Sequence, residues 1–263
     1  MAVNFGPGLH AAIGRRVDRS AYDRYLGRWS RLFVPAVLAA ADVTAGHRIL
    51  DVATGPGEAA SMALPEVGPA GLVVGADISL AMLDAANTRF AGQRFLSVAA
   101  DGHALPFADG TFDSVICQLG LMFFADPVRG LEGFRRVSPP APSCRCVRYL
   151  RAEILSRYIP GQREVLHLSF ALADAARLER LLAAAGFHEI SVTPETREGS
   201  YESFDDYWAP IDEGASSLPQ AYCALPDSTR RAVPEEVHAR LIEHESGGRL
   251  VMKLEMLIGA GRA

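Results

Sequence analysis

Apolar residues fall along this chain in two rhythms. Over residues 10–46, Tyr22, Tyr25, Leu26 and Trp29 recur at spacings of three and four, the interval that aligns side chains on one helix face, so the chain is predicted to open with helices. Beyond them the apolar residues gather in short runs ended by turn residues, at 48–52, 72–76, 94–98 and 114–117, with gaps long enough for helices. That alternation predicts a parallel sheet covered on both faces. Ser79 is placed to cap the second intervening helix, with Met82 and Leu83 facing inward. A helix over 126–137 is expected next, then one over 170–186, where Leu178, Leu181, Leu182 and Ala185 form a stripe and Gly186 suits a C-terminal cap. A short strand is expected at 190–192. Residues 201–246, mixed aromatic, acidic and helical, read as an insertion. The chain closes on a strand over 249–257, where Leu250, Met252, Leu254 and Met256 alternate with Val251, Lys253 and Glu255.

Composition narrows the class. At 263 residues the chain suits one principal domain with a modest insertion, and 49% hydrophobic with 22% charged residues are ordinary globular proportions. A net charge of -5 disfavours a sequence-independent grip on nucleic acid or anionic lipid, because both need a clustered basic surface. Four cysteines, at 117, 144, 146 and 223, are too few for a dense disulfide framework and lack zinc-ribbon spacing, which implies a reducing, cytoplasmic setting and no metal. The longest apolar run, 32–41, contains Pro35 and falls far short of the roughly 20 residues that span a bilayer. The first residues lack the order of a secretory signal. A small-molecule ligand is the default that remains.

The chemistry concentrates in Ile49-Leu-Asp-Val-Ala-Thr-Gly-Pro-Gly-Glu-Ala-Ala, a strand that ends in an acid and turns through glycines into a helix. As Gly55-x-Gly57-x-x-Ala60, with Asp77 twenty residues past Gly57 (77 − 57), it satisfies the dinucleotide fingerprint. Asp51 argues otherwise. A carboxylate at a turn meant for pyrophosphate repels it, whereas the same carboxylate stabilises a cationic ligand.

Four motifs in order carry a more specific likeness: Leu50-Asp-Val-Ala-Thr-Gly-Pro-Gly57, Gly75-Ala-Asp-Ile-Ser79, Asp101-Gly-His-Ala-Leu-Pro-Phe107 and Gly110-Thr-Phe-Asp113. Over about 20–137, and again at 168–192, the chain resembles the class I S-adenosylmethionine-dependent methyltransferases, in the branch of the ubiquinone and menaquinone biosynthesis C-methyltransferases. The resemblance implies an α/β, Rossmann-like sheet, mostly parallel, of seven strands with an antiparallel last strand. It implies S-adenosylmethionine as cofactor. Gly55 and Gly57 would let the backbone approach the aminoacyl end, with Asp51 near its ammonium or ordering the loop. Asp77 would accept from the ribose hydroxyls and Ile78 would flank the adenine. Asp101 would accept from the adenine amino group, with a backbone N–H near Gly102 or His103 donating to the ring, and Gln118 and Leu119 would lie by the methionine portion. Ala53, Thr54 and Met82 complete the implied cofactor set.

Plainer readings stand beside these. Asp77 could serve only the positive end of a helix, Asp101-Gly102 could be an ordinary turn, and His103 is either a general base or a loop residue. No residue announces itself as catalytic. The implied architecture has a helical cap over 1–46, a cofactor-binding domain over 47–200 and 247–263, and a helical insertion over 201–246 that acts as a substrate lid. Tyr22, Trp29, Phe123, Tyr207 and Trp208 are the aromatics expected around a small-molecule acceptor, although Tyr207 and Trp208 could equally be the core of the insertion. After Val137 the chain departs from the family: Ser138-Pro-Pro replaces a basic-Pro-Gly-Gly turn, and from Arg135 to Arg163 there are seven arginines against one acid, Glu153. A local frameshift over about 138–165, or true divergence, accounts for this. Three functions follow: a methyltransferase acting on a carbon, oxygen or nitrogen of a small molecule; a cofactor-binding protein of weak or no activity; and an NAD-dependent oxidoreductase.

Overall fold

The computed structural model describes residues 19–138, 172, 174–215 and 217–263. The chain enters as one irregular helical segment: α1 (Arg19–Tyr22), a π-helical stretch (Asp23–Gly27), α2 (Arg28–Ser30), a 3₁₀ turn (Arg31–Phe33) and α3 (Val34–Ala40). It then alternates through β1 (Arg48–Val52), α4 (Glu58–Val67), β2 (Leu72–Asp77), α5 (Leu80–Arg89), β3 (Phe95–Ala99), β4 (Ser114–Ile116) and α6 (Pro127–Val137). After α7 (Ala175–Ala184) come β5 (His188–Tyr201), α8 (Phe204–Asp212), α9 (Ser217–Cys223), α10 (Asp227–Leu241), β6 (Glu245–Ser246) and β7 (Arg249–Arg262). The helix starts follow local chemistry. The side chains of Ser79, Asp126 and Asp174 accept backbone N–H groups from the first turns of α5, α6 and α7, and Gly186 turns the chain beyond α7 at φ +84°.

Among the described residues the strands form two sheets, of four and three strands, where the family resemblance implies a single seven-stranded sheet. β3-β2-β1-β4 is parallel throughout, and β5-β7-β6 is antiparallel, so the last strand does run against its neighbours. Among the described residues no ladder joins β4 to the second sheet. The segment that would supply a strand between them, with its proline- and arginine-rich composition, falls at 139–171. The frameshift reading, Cys144 and Cys146 therefore lie outside the described residues, as does the helix expected at 10–18.

β5 also exceeds its expectation: a strand at 190–192 becomes one over His188–Tyr201, paired with β7 from Ser191↔Ala260 to Tyr201↔Leu250. Its sequence hid it. Among the described residues β5 pairs on one side only, so it carries exposed polar residues and Pro194, which lacks a donor and is tolerated at an edge. β7 keeps its period of two, with Leu250, Met252, Leu254 and Met256 buried, then continues through buried Leu257, Ile258 and Ala260 to Arg262.

Two apolar clusters result. The larger packs both faces of the parallel sheet and takes in Leu178 and Leu182 of α7 with Leu254–Ile258 of β7, so the second sheet shares the core of the first. The smaller joins Ala21 and Tyr25 from the chain's start to Tyr201, Trp208, Ile211, Tyr222, Val233, Val237 and Leu241 from 201–246 and to Leu250 and Met252 of β7. Arg24 pairs with Glu213 and Arg28 with Asp206, the latter at 2.8 Å, across the same junction.

Leu178 is fully buried against Gly259, where an added Cβ would lie 2.8 Å from its side chain. Leu178→Ala is expected to cost about 2–5 kcal/mol in one cooperative denaturant transition. An early separate transition of the second sheet would show that the two sheets do not share a core.

Candidate functional site

The parallel strands deliver their C-terminal ends to one edge, and the candidate residues stand there. Leaving β1, the chain passes through three left-handed residues, Ala53 (φ +56°), Gly55 (φ +54°) and Gly57 (φ +86°), before α4 begins. For Gly57 the cause is close approach as well as conformation, since a Cβ there would lie 2.3 Å from the Phe90 ring. Gly75 brings β2 equally close beneath the loop, its missing Cβ lying 2.8 Å from Thr54 and 2.7 Å from Phe95. A Cβ on Gly55 would meet no atom closer than the Tyr22 hydroxyl at 3.6 Å. Space over Gly55 is therefore open and bounded by the helical cap.

Two carboxylates brace this loop. Asp51, 1% exposed, accepts the Thr54 hydroxyl at 2.7 Å. Asp77 accepts the Gly55 N–H through one oxygen and the Ser79 N–H through the other, each at 2.8 Å. Burial pushes the Asp51 carboxyl up to about 7, with the Thr54 hydrogen bond opposing and the Asp77 charge adding to the rise. Asp77 is raised too, by burial, against hydrogen bonds from Ser79, Gly55 and Ile78. The Tyr22 phenol is held above its ordinary value by burial and by the charges of Glu58, Asp77 and Asp23, so it stays protonated and can donate. Two acids that ionise reluctantly at one edge make a place short of positive charge.

Beyond β3, Asp101 accepts the His103 N–H at 2.9 Å and meets His103 Nδ1 at 2.6 Å. His103 Nε2 accepts the Asp126 N–H at 3.2 Å, and the ring lies 4.8 Å from Phe124. Both ring nitrogens of the one histidine singled out as a base are thus engaged. Gly102 packs on Phe124, whose ring would lie 2.1 Å from an added Cβ. Beyond β4, Gln118 Nε2 donates to the Ser30 carbonyl at 2.9 Å, tying this strand end to the cap. Leu119 is left-handed (φ +60°), and Gly120 packs against Ala53, 2.4 Å from a Cβ built there, so the turns after β1 and β4 abut. Ile78 is 43% exposed at this edge, and Met82 is half-buried in the first turn of α5.

The aromatics divide. Tyr22 overlies the glycine turn, and Phe123 is half-buried in the 3₁₀ turn after β4. Trp29 is buried in the larger cluster; Trp208 is buried in the smaller, its ring 5.3 Å from that of Tyr222, and half-buried Tyr207 packs against the same cluster.

One constellation went unread in the sequence. Glu58, the first residue of α4, is buried and takes Arg31 Nε at 2.8 Å and Arg89 Nη1 at 2.7 Å. The signal was an acid beginning a run of small apolar residues, Glu58-Ala-Ala, in a position that α4 turns inward. Among the described residues no group of three or more His, Cys, Asp or Glu could hold a metal, and no helix is long and apolar enough to cross a membrane.

The chain is similar to known methyltransferases. Residues 50–141 match a family described as a methyltransferase domain. The chain is 40% identical over 139 residues to the demethylmenaquinone methyltransferase of Clavibacter sepedonicus, an alignment covering 51% of this chain and 55% of that protein. It is 30% identical over 201 residues to the demethylmenaquinone methyltransferase of a Mycobacterium species (strain KMS), covering 68% of this chain and 84% of that one. The chain thus spans little more than half the length of the first relative and most of the second. Among solved structures, Haemonchus contortus phosphoethanolamine N-methyltransferase 2, in complex with phosphomonomethylethanolamine and S-adenosylhomocysteine, shares the fold with a TM-score of 0.63 at 16% identity over 99% of this chain and 60% of that one.

The raised Asp51 carboxyl fixes a sign for pH. Unfolded, it loses its proton near pH 4; folded, near pH 7, so the folded state holds the extra proton in between and stability falls with rising pH, by about 1.4 kcal/mol per unit for one proton. Asp51→Asn is therefore expected to gain thermal stability relative to the parent between roughly pH 4.5 and 7.5. A difference in melting temperature that stays constant across that range would contradict the assignment.

Proposed function

Because the chain belongs to the S-adenosylmethionine-dependent methyltransferase family, we propose that it binds that cofactor at the C-terminal ends of β1–β4 and moves its methyl group to a small organic acceptor. The observation that carries the reading is the Asp77 carboxylate bridging the glycine turn and the start of α5 at an edge where Asp51 is also reluctant to ionise. A diol, a neutral base and a zwitterion ask for acceptors and an open turn. A pyrophosphate asks for the reverse, which counts against the nicotinamide reading.

When bound, the cofactor supplies a methyl group made electrophilic by its sulfonium. The chain's residues bind and orient. Gly55 and Gly57 give the backbone close approach to the aminoacyl end, with Ala53 and Thr54 shaping the turn. Asp51 orders the loop through Thr54 and lends negative potential to the ammonium. Asp77 accepts from the ribose hydroxyls, and Ile78 and Met82 flank the adenine. Asp101, braced by His103, accepts from the adenine amino group while Gly102 presents backbone. Gln118 and Leu119 stand by the methionine portion. Transfer neutralises a charge on the sulfonium, so a dry, aligned site serves it and a general base is optional.

The cap and residues 201–246 fit the role of a roof over the acceptor, since they share the smaller apolar cluster while Tyr22 leans over Gly55. The acceptor is a small organic molecule reacting at carbon, oxygen or nitrogen. Relatives named as demethylmenaquinone methyltransferases make hydroxylated aromatic and quinol-type carbons the first class to assay. One observation favours a second reading, a cofactor-binding protein of weak activity: the Ser138-Pro-Pro departure just after α6.

Calorimetry with S-adenosylhomocysteine against NADH tests the site, and a methyl-acceptor panel tests turnover. Asp77→Asn is expected to weaken S-adenosylhomocysteine by about 1.5–3 kcal/mol, or roughly ten- to 150-fold. Gly55→Val is expected to abolish binding in a folded protein, because valine is strained at this positive φ and its side chain fills the space beneath Tyr22. Undiminished binding by either variant would remove the corresponding residue from the site, and preferential uptake of NADH would replace the reading.

A further inference from the structure

Glu58 lies one residue past the glycine turn, yet its carboxylate points away into the protein, with the side chain 8% exposed. Burial of a lone carboxylate is expensive, and here two guanidinium groups from distant parts of the chain compensate it. Arg89, the last residue of α5, donates to Oε1 at 2.7 Å and reaches the Pro56 carbonyl within the turn at 3.4 Å, while its guanidinium sits 5.4 Å from the Phe90 ring that packs under Gly57. Arg31, from the cap, approaches Oε2 through Nε at 2.8 Å, and the same Nε donates to the Gly27 carbonyl at 2.9 Å.

Gly27 makes room for this approach. A Cβ built on it would lie 3.0 Å from Arg31 Nη2, 3.2 Å from Glu58 Oε1 and 3.3 Å from Asp23 Oδ1. It ends the π-helical stretch Asp23–Gly27, a local rewinding of the helix that brings the two arms together directly after Tyr22. The rest of the cap is held by other bonds, Gln118 to the Ser30 carbonyl and Arg197 Nε to the Leu32 carbonyl, at its C-terminal half. At the Tyr22 end, Arg24 and Arg28 pair with the insertion, and between the two ends Arg31, which also reaches back to the Gly27 carbonyl, ties the cap through Glu58 to the start of α4.

We propose that Glu58 is a positioning residue: by holding Arg31 and Arg89 together it latches the helical cap to the glycine turn and so sets Tyr22 over the cofactor site without itself touching cofactor. The inference rests on the cofactor site proposed above. Its consequence is that affinity for the cofactor depends on a contact behind the turn, and that Arg31, on the half-exposed side of the pair, matters as much as Glu58.

The test uses the full chain with S-adenosylhomocysteine as probe. Arg31→Met and Glu58→Gln are each expected to weaken binding about tenfold, within the usual range for coupling of a remote contact to a ligand site. The double variant should bind no worse than either single one, and adding Tyr22→Ala to Glu58→Gln should cost less than the two separate losses combined, since both act through the seating of the cap. Backbone hydrogen exchange over residues 20–30 should quicken in both single variants without ligand, while exchange in β1 and β2 stays slow. Should Glu58→Gln fail to fold, Arg31→Met carries the same two readouts. A parent that binds while Arg31→Met binds equally well and exchanges no faster at 20–30 overturns the latch alone. Independent, multiplicative losses in the double variant overturn it too, since they would give each residue a separate role. A parent that takes up no S-adenosylhomocysteine overturns the cofactor site and the latch with it.

Discussion

The turn between β1 and α4 is the constraint from which the rest of the site follows. Three left-handed residues, with a phenyl ring packed where the Gly57 side chain would be, take the turn out of the regular helix and strand conformations, so its backbone groups need partners of their own. They are satisfied by neighbours that the sheet brings alongside. Thr54 N–H donates to the Ala76 carbonyl at 3.1 Å and Gly55 N–H to Asp77 at 2.8 Å, both at the end of β2, while the Thr54 hydroxyl returns to Asp51 on β1. Parallel pairing of β1 with β2, in the register Asp51↔Gly75, is what sets those partners at the right height. The loop is thus a product of the sheet as much as of its glycines.

Charge follows from the same arrangement. Packing the turn this tightly buries Asp51 and half-buries Asp77; burial raises both carboxyls, and the Asp77 charge adds to the rise at Asp51. The hydrogen bonds from Thr54, Gly55 and Ser79 offset part of that cost, and a cationic group seated at the edge would offset more. Preorganisation here means acids held in place ahead of the ligand that relieves them.

What could be read from the sequence was whatever repeats with a period or sits at a turn. The four parallel strands, the cap at Ser79, the glycine turn with Asp51 and Asp77, and the alternation of β7 all declare themselves within a few residues. The remainder depends on partners far away in the chain. β5 runs 14 residues on polar sequence because β7 supplies its ladder, a fact with no local signature. The segment that would join the two sheets, 139–171, lies outside the described residues. Glu58 carries no local mark of its partners, because Arg31 and Arg89 come to it from 27 and 31 positions away (58 − 31 and 89 − 58). His103 suggested a base by residue type, and only the fold shows both nitrogens engaged, one with Asp101 and one with the Asp126 N–H.

The smaller apolar cluster bears on the order in which the chain can assemble. Its members come from Ala21 and Tyr25, from Tyr201 through Leu241, and from Leu250 and Met252, so it cannot close until segments more than 200 residues apart have met. The parallel strands pair over separations within residues 48–116, shorter than those that the smaller cluster spans. Tyr25 and Leu250 lie far apart in the chain, and the loop entropy of that long separation opposes their meeting. Pairing of β7 with β5 is thus what brings Leu250 and Met252 to the residues at 21–25 and 201–241, so this cluster and the second sheet form together.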